Sequence, residues 1–243
     1  MEIKKLLSHA NNFGSSRSFS DIKYIVYHYT ANDGDTAKNN ARYFANNVVK
    51  ASAHYFVDDA EIYNSVPDAC VAWAVGGNKW GDVAKTGGGK MFGKITNRNS
   101  ISIEMCDTVR NGVVQATEKT LQNAVALGKY LMKLYNIPIE NVYRHFDVTG
   151  KHCPAYFMDN NKWQEFKEKL VEEEMTYEKF CEYMDKYLSV AGTGDTPSPF
   201  AKEAAEWAKE NGIINGDGSG NYGWQKPITR EAAAKILHNM THK

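Results

Sequence analysis

The chain has 243 residues, of which 42% are hydrophobic and 24% charged, a composition typical of a globular protein. Its 29 basic and 29 acidic side chains balance, which argues against a basic surface for nucleic acid. No segment approaches the roughly 18 consecutive apolar residues that a membrane span needs, and the N-terminal segment lacks the apolar core of a signal peptide. We therefore expect synthesis in a cytoplasm, with no nucleic-acid or membrane partner.

The N-terminal part alternates short β-rich runs with a helical pattern. The run 24–27 is predicted to be a buried strand whose carboxyl end delivers His28 to a site. Further strands are predicted at 53–57 and 61–66, and a helix at 36–49. The glycine-rich stretch 76–99 is predicted to be a long loop, and loops of this length are usually functional or disordered.

The middle of the chain continues the alternation. A strand is predicted at 100–105, an amphipathic helix at 117–135, a short strand at 142–143 and a charged helix at 162–174. Strands that alternate with helices indicate an α/β fold in which helices flank a mixed central sheet. We assign this fold to a first domain, residues 1–173.

The C-terminal part has a different character. Helices are predicted at 177–188, 200–211 and 229–239, with a linker at 191–199 and a glycine-rich loop at 215–223. These elements predict a second, small all-α domain over residues 174–243.

Three residues of the first domain have the chemistry of metal ligands. His28 ends a predicted strand, His145 follows another, and Cys153 comes eight residues later. Two imidazoles and a thiolate suit Zn²⁺, and three protein ligands leave the fourth tetrahedral position open, as a catalytic zinc requires. The alternative is that the histidines are ordinary core or surface imidazoles and that Cys153 is a small buried hydrophobe. All four cysteines of the chain are expected to be reduced thiols.

Four segments of the first domain carry a family resemblance. They are YIVYHYTA (24–31), SAHYFVDDAEIYNSVP (52–67), NSISIEMC (99–106) and RHFDVTGKHCPAYF (144–157). In this order they resemble the type-2 N-acetylmuramoyl-L-alanine amidases, a family that includes phage endolysins and is related to peptidoglycan recognition proteins. The resemblance covers about 1–173 and implies a zinc-dependent peptidoglycan hydrolase.

The resemblance also implies roles for individual residues. His28, His145 and Cys153 match the three zinc ligands of the family. Glu104 matches the general base, since a carboxylate beside a metal-bound water can take its proton. Lys151 matches the residue that helps to hold the oxyanion, because an ammonium and a dication can share the developing negative charge.

Other residues near these motifs are candidates for the substrate groove. His54 lies on a family motif and is interpreted as pocket lining or as a support for the site. Tyr29, Thr30 and Trp73 are candidates to contact the substrate, and core packing is the alternative for each. Asp147 is expected either to orient His145 or to cap a turn. His152 has no assigned role.

The segment 197–237 resembles an S-layer-homology module, a type that anchors proteins to cell-wall polymers. Its features are a helix, a glycine-rich loop and a Pro-Ile-Thr-Arg opening of a second helix, with Thr229 as the expected N-cap. We therefore expect the second domain to bind a secondary wall polymer. The alternative is a helical packing or dimerisation domain, through which the chain would form a homo-oligomer.

Together the two resemblances predict an enzyme that cuts the amide between N-acetylmuramic acid and L-alanine in cell-wall peptidoglycan. A phage endolysin made in the host cytoplasm and released to the wall fits the lack of a signal peptide, and a bacterial autolysin exported by another route is the alternative. A rival class is a recognition protein that binds peptidoglycan without cutting it, and a third is an interaction protein with structural zinc. Cys153 together with Glu104 favours the enzyme over the recognition protein, because non-cutting relatives typically lack the third ligand.

Overall fold

A six-stranded mixed sheet forms the centre of the N-terminal unit. The computed structural model describes residues 1–81, 83–172, 176–190 and 196–242, and divides the chain into two units, Met1–Glu172 and Glu173–Lys243. The strands of the first unit are β1 (Lys4–Lys5), β2 (Phe13–Ser16), β3 (Tyr24–Tyr29), β4 (Tyr55–Val57), β5 (Ile62–Asn64), β6 (Cys70–Ala72), β7 (Ser100–Met105), β8 (Thr108–Arg110), β9 (Val113–Gln115) and β10 (Val142–Arg144). Its helices are α1 (Ala37–Asn46), α2 (Val83–Thr86), α3 (Glu118–Tyr135), α4 (His145–Thr149) and α5 (Asn160–Val171).

The order of strands across the central sheet is β1-β5-β4-β7-β3-β10. Strands β4 and β5 pair in antiparallel fashion, and every other neighbouring pair in this sheet is parallel. Two small antiparallel pairs, β2–β6 and β8–β9, complete the β structure. Because β10, β3 and β7 run in the same direction, their carboxyl ends meet at one edge of the sheet, which is where ligands bind in open α/β sheets.

Helices α3 and α5 cover one face of this sheet. Thr117 caps α3 by accepting a hydrogen bond from the Thr120 N–H, and the helix ends at Asn136 in the left-handed conformation, with φ of 51°. The main core packs apolar side chains of both helices against β3 and β7, including Leu127, Leu131, Trp163, Phe166 and Leu170. Burial of this apolar surface is the main force that holds the helices on the sheet.

The predicted mixed α/β fold is confirmed. Strand β7 has the predicted bounds, and α3 begins one residue later than predicted, whereas β4 begins at Tyr55 rather than at 53. Several short elements were not predicted, namely β1, β2, β6, the β8–β9 hairpin, α2 and α4. The last two residues of the helix predicted at 162–174 lie outside the described residues.

Among its described residues, the C-terminal unit has three α-helices, as predicted: α6 (Tyr177–Val190), α7 (Lys202–Glu210) and α8 (Arg230–Thr241). Thr229 caps α8 by accepting a hydrogen bond from the Ala232 N–H. Most of the linker predicted at 191–199 lies outside the described residues. Nowhere in the described parts of the chain is a helix both long and apolar enough to cross a membrane.

Candidate metal centre and active site

His28 and Glu104 are directly opposite each other on the parallel strands β3 and β7. The Nδ1 atom of His28 and the Oε1 atom of Glu104 are 3.8 Å apart. Side chains alternate along a strand, so His28 points away from the face on which Tyr27 packs against α3 and α5. His28 is buried, and the Glu104 side chain is 21% exposed although its Oε2 atom is buried.

His145 and Cys153 are brought to the same place by α4 and the turn that follows it. His145 is the first residue of α4, directly after β10, and the N–H of Phe146 donates to the carbonyl of Cys153 at 2.9 Å. The Sγ atom of Cys153 is 3.9 Å from Nδ1 of His28. Potential ligand atoms of His28, His145 and Cys153 all lie within 4.8 Å of one another, and all three residues are buried.

The surroundings of this cluster suit a metal ion. Within the described parts of the chain, Nε2 of His28 and Nδ1 of His145 are buried and have no hydrogen-bond partner. Burial, followed by the charges of His145 and Lys151, lowers the pKa of His28 well below its usual range. Burial and the Lys151 charge lower the pKa of His145 to about 4. Both imidazoles are therefore neutral at pH 7 and free to act as ligands.

Burial has the opposite effect on the two acidic groups of the site. It raises the pKa of the Cys153 thiol, and the nearby Glu104 charge raises it further. Burial raises the pKa of Glu104 to about 8, although the Lys151 ammonium opposes this shift. A cation placed among these residues would favour their ionised forms. Glu104 therefore combines a perturbed pKa with an Oε2 atom that has no partner among the described residues.

Lys151 is exposed, two residues before Cys153. Its N–H donates to Oγ1 of Thr149 at 3.3 Å, and its charge acts on His28, His145 and Glu104. The ammonium is thus close enough to influence the cluster while it remains in contact with solvent.

Two of the predicted substrate residues lie beside this cluster. Tyr29 ends β3 and is partly buried, next to His28. Thr30 follows it, and its Oγ1 donates to Oδ1 of the buried Asp107 at 2.7 Å. Asp107, which the sequence analysis did not single out, also accepts a hydrogen bond from the Asn32 N–H.

His54 does not have the predicted position in the substrate groove. Its side chain is fully buried, Nδ1 accepts a hydrogen bond from the Ser102 N–H at 3.1 Å, and Nε2 is 3.2 Å from the carbonyl oxygen of Cys70. The Arg17 guanidinium lies 2.8 Å from Nε2. A side chain with no exposed surface cannot line the groove, so these contacts rule out the first interpretation of His54, as pocket lining, and leave the second, as a support for the site.

Trp73 is also separate from the metal cluster. It lines a surface cavity of about 370 Å³. The other lining residues are Val71, Val75, Gly76, Gly77, Phe92, Gly93, Ile95, Thr96, Asn97 and Arg98. None of these is a candidate ligand or catalytic residue, so the structure gives no support for contact between Trp73 and a substrate held at the metal cluster.

Asp147 and the loop 76–99 stabilise the helix that carries His145. Asp147 accepts hydrogen bonds from the backbone N–H and the guanidinium of Arg144, so it caps α4, one of its two expected roles. The loop donates to the carbonyls of α4 through three backbone N–H groups, those of Trp80, Gly89 and Met91. His152 is exposed, and its ring lies 6.2 Å from that of Phe146.

Comparison with known proteins identifies the family. Residues 18–156 match the model of the family described as N-acetylmuramoyl-L-alanine amidase. The chain belongs to this family. The match includes all three candidate ligands of the amidase unit, and residues 194–234 match the S-layer homology domain.

Named relatives agree with this assignment of the amidase unit. The N-acetylmuramoyl-L-alanine amidase CwlL of Bacillus licheniformis is 34% identical over 155 residues, which are 61% of this chain and 41% of the relative. BlyA of Bacillus subtilis (strain 168), another such amidase, is 35% identical over 159 residues, again 61% of this chain and 41% of the relative. This chain therefore spans well under half of the length of these relatives.

Solved structures show the same fold. The structure of PlyL is 32% identical with a TM-score of 0.56, and the match covers 72% of this chain and 100% of that chain. The catalytic domain of XlyA is 32% identical with a TM-score of 0.53, covering 70% of this chain and 99% of that one. Both comparisons match a complete domain to the amidase part of this chain.

The C-terminal unit has a cavity of its own, of about 710 Å³. Two of its lining residues, Tyr222 and Trp224, stack with ring centroids 5.3 Å apart, and Nζ of Lys209 lies 4.9 Å from the centroid of the Tyr222 ring. Paired aromatic faces and lysines at the edge of a cavity are suited to a polar or anionic polymer.

Proposed function

We propose that this protein is a zinc-dependent hydrolase that cleaves the amide between the lactyl group of N-acetylmuramic acid and L-alanine in peptidoglycan. The observation that carries this proposal is the buried cluster of His28, His145 and Cys153, with ligand atoms within 4.8 Å of one another, beside the carboxylate of Glu104. The donor set of two imidazoles and one thiol, together with the orphaned ring nitrogens, fits zinc with one open position.

The residues of the site divide the chemistry between them. His28, His145 and Cys153 would hold the metal. Bound Zn²⁺ would act as a Lewis acid on the amide carbonyl and lower the pKa of water. Glu104 accepts the proton of the attacking water at its carboxylate and returns it to the leaving amine of L-alanine. The Lys151 ammonium stabilises the negative charge that develops on the carbonyl oxygen.

For the substrate groove we propose Tyr29 and Thr30, which lie at the end of β3 beside the ligands. Trp73 and His54 are left out, since one lines a separate cavity and the other is fully buried.

For the C-terminal unit we propose anchoring to a secondary polymer of the cell wall through the cavity that contains Tyr222 and Trp224. This rests on the match to the S-layer homology domain and on the half-buried aromatic stack that lines the cavity. Self-association through this unit is a second candidate role. It is supported by large apolar side chains that are at least 51% exposed on all three helices, among them Tyr177, Phe180, Trp207 and Leu237.

A phage endolysin that lyses its host from within is the biological role that we propose, with a bacterial autolysin as the alternative. In either role the substrate is cell-wall peptidoglycan. A protein that binds peptidoglycan without cutting it would have no use for the carboxylate of Glu104 beside the three ligands.

The test is the release of new L-alanine amino termini from purified cell walls, measured with and without a chelator and after zinc is added back. We expect release that stops with the chelator and returns with zinc. Wall binding without release of amines would contradict the proposal and support the recognition protein.

For the C-terminal unit, Trp224→Ala is expected to weaken sedimentation with cell walls without changing turnover of a soluble muropeptide. Unchanged sedimentation would contradict the anchoring role.

A further inference from the structure

One buried carboxylate of the amidase unit holds a strained turn in place. Oδ1 of Asp107 accepts hydrogen bonds from Oγ1 of Thr30 at 2.7 Å and from the backbone N–H of Asn32 at 3.2 Å. Between these two donors lies Ala31, whose φ of 52° is in the left-handed region that residues with a side chain rarely adopt. The carbonyl of Asp107 also accepts from the Gly34 N–H at 2.8 Å. Such strain persists only where the surroundings maintain it, and it is concentrated at functional sites.

The turn directly follows the strand that carries His28. The N–H of Thr30 donates to the carbonyl of Met105 at 3.1 Å, which continues the hydrogen bonding between β3 and β7 one residue beyond Tyr29. Residues two apart on a strand point to the same face, with Cα atoms about 7 Å apart. Thr30 is therefore on the face of His28, and because it is only half-buried, part of it is open to a bound molecule.

The bond to Asp107 fixes what the Thr30 hydroxyl can offer to a substrate. A hydroxyl has a single proton and a carboxylate only accepts, so the proton of Thr30 points at Asp107. The remaining lone pair of Oγ1 can only accept a hydrogen bond. The peptide N–H groups and the sugar hydroxyls of peptidoglycan are donors of the kind that such an acceptor binds.

We propose that Asp107 is a positioning residue, which holds Thr30 in the groove as a hydrogen-bond acceptor for a donor group of the bound glycopeptide. This inference rests on the proposed amidase function and on the proposed place of Thr30 in the groove. Asp107 acts through Thr30 and takes no part in the transfer of protons, which belongs to Glu104.

Variants of the full zinc-loaded chain test this role. Asp107→Ala removes the acceptor, whereas Asp107→Asn keeps an oxygen that can accept both hydrogen bonds. Thr30→Val removes the hydroxyl and keeps the branched shape, and the double variant Thr30→Val/Asp107→Ala combines the two losses. Asp59→Ala is the matched control, because Oδ1 of Asp59 also accepts from two side chains, the hydroxyls of Thr117 and Thr120 at the start of α3. Measured quantities are kcat and KM on a soluble muropeptide, the zinc content and the Tm.

For Asp107→Ala and for Thr30→Val we expect KM to rise roughly 3–10-fold, the effect of one lost hydrogen bond. Their kcat and zinc content should stay unchanged, because a lost contact that is equal in the ground and transition states raises KM alone. Asp107→Asn should restore the KM of the wild type. The double variant should have the KM of either single variant, since the two residues act as one unit. For Asp59→Ala we expect a lower Tm with KM unchanged.

Three results would overturn the inference alone while the wild type remains active. An unchanged KM in Asp107→Ala would show that the turn needs no such support. A KM in Asp107→Asn as high as that in Asp107→Ala would mean that the charge matters and the accepted bonds do not. Additive increases of KM in the double variant would mean that Asp107 does not act through Thr30. A wild-type protein that releases no L-alanine amino termini would instead overturn the proposed function, and this inference with it.

Discussion

His28 and Glu104 occupy opposed positions on adjacent parallel strands, and Nδ1 of one is 3.8 Å from Oε1 of the other. The register of β3 against β7 therefore sets the distance between a proposed zinc ligand and the proposed general base. Neighbouring residues of a strand face opposite sides of the sheet. If β7 were shifted by one residue relative to β3, Glu104 would therefore lie on the face opposite to His28.

Replacement of the proposed base is the first prediction. Glu104→Gln keeps the shape of the side chain but cannot accept a proton, so we expect kcat to fall by roughly 10²–10⁴-fold. Zinc content should remain that of the wild type, because Glu104 is not one of the three ligands. Glu118→Gln, on the exposed surface of α3, is the control and should leave kcat unchanged. A Glu104→Gln enzyme with wild-type kcat would remove Glu104 from the mechanism.

The second prediction concerns the pH dependence of metal binding. Burial raises the pKa of Cys153, so at pH 7 the metal-free thiol holds a proton that zinc must displace. Zinc affinity should therefore rise with pH, with Cys153 contributing about tenfold per pH unit. A competition titration with a chromophoric chelator at two pH values measures this slope. Cys153→Ser should bind zinc more weakly and with a shallower slope, whereas Cys181→Ser in α6 should match the wild type. An unchanged slope in Cys153→Ser would mean that the thiol is not a ligand.

The third prediction is a loss of stability in acid that arises from His54. Burial and the neighbouring Arg17 charge lower the pKa of His54 to about 3, against about 6.5 in the unfolded chain. Between these values the unfolded state binds a proton that the folded state cannot, so the free energy of unfolding falls as the pH is lowered from about 6.5. One such histidine contributes about 1.4 kcal/mol per pH unit.

Urea unfolding at pH 7 and pH 5, with zinc present throughout, measures this loss. His54→Gln removes the titrating group, so its free energy of unfolding should change less between the two pH values than that of the wild type, whatever its absolute stability. Equal changes in the two proteins would show that His54 does not cause the acid sensitivity.

The fourth prediction tests the contact between the loop 76–99 and the helix that carries His145. A Cβ atom on Gly88 would lie 2.6 Å from Cε2 of Phe146 and 2.9 Å from Cα of Gly150. Gly88→Ala must therefore shift the Phe146 ring and either the loop or the end of α4, and we expect a loss of about 1–3 kcal/mol in stability together with weaker zinc binding. Gly81→Ala, where nothing lies within 4 Å of the added Cβ, is the control. Wild-type zinc affinity and stability in Gly88→Ala would show that α4 accommodates the methyl group.

Much of the site was predictable because its residues lie at the carboxyl ends of parallel strands. His28 and Glu104 are the second-to-last residues of β3 and β7, and His145 directly follows β10; these strands lie side by side in the sheet, in the order β7-β3-β10. Short apolar runs that end in a histidine or a glutamate show this arrangement in the sequence. The distances along the chain between these strands do not show which strands lie side by side in the sheet. The family resemblance was therefore needed to predict that the three residues meet at one site.

The residues that were missed depend on surroundings that no local pattern records. Asp107 becomes notable only when its neighbours Thr30 and Asn32 are known, and the motif of His54 alone could not show that this side chain is buried. The β8–β9 hairpin was also missed, although in this case the sequence does contain a local signal for it. Asn111 and Gly112 form the turn, with φ of 52° and 74°, and an Asn-Gly pair between two short runs that contain valine is a strong hairpin signal.

The order of the site residues along the chain has a consequence for biosynthesis. The three candidate ligands come from positions 28, 145 and 153, and the last of these lies near the end of a unit that closes at Glu172. A nascent chain still attached to the ribosome before residue 153 lacks one of the three ligands. Fragments of the amidase unit that end before residue 153 would therefore lack the complete candidate metal centre, which can assemble only when translation of this unit is almost complete.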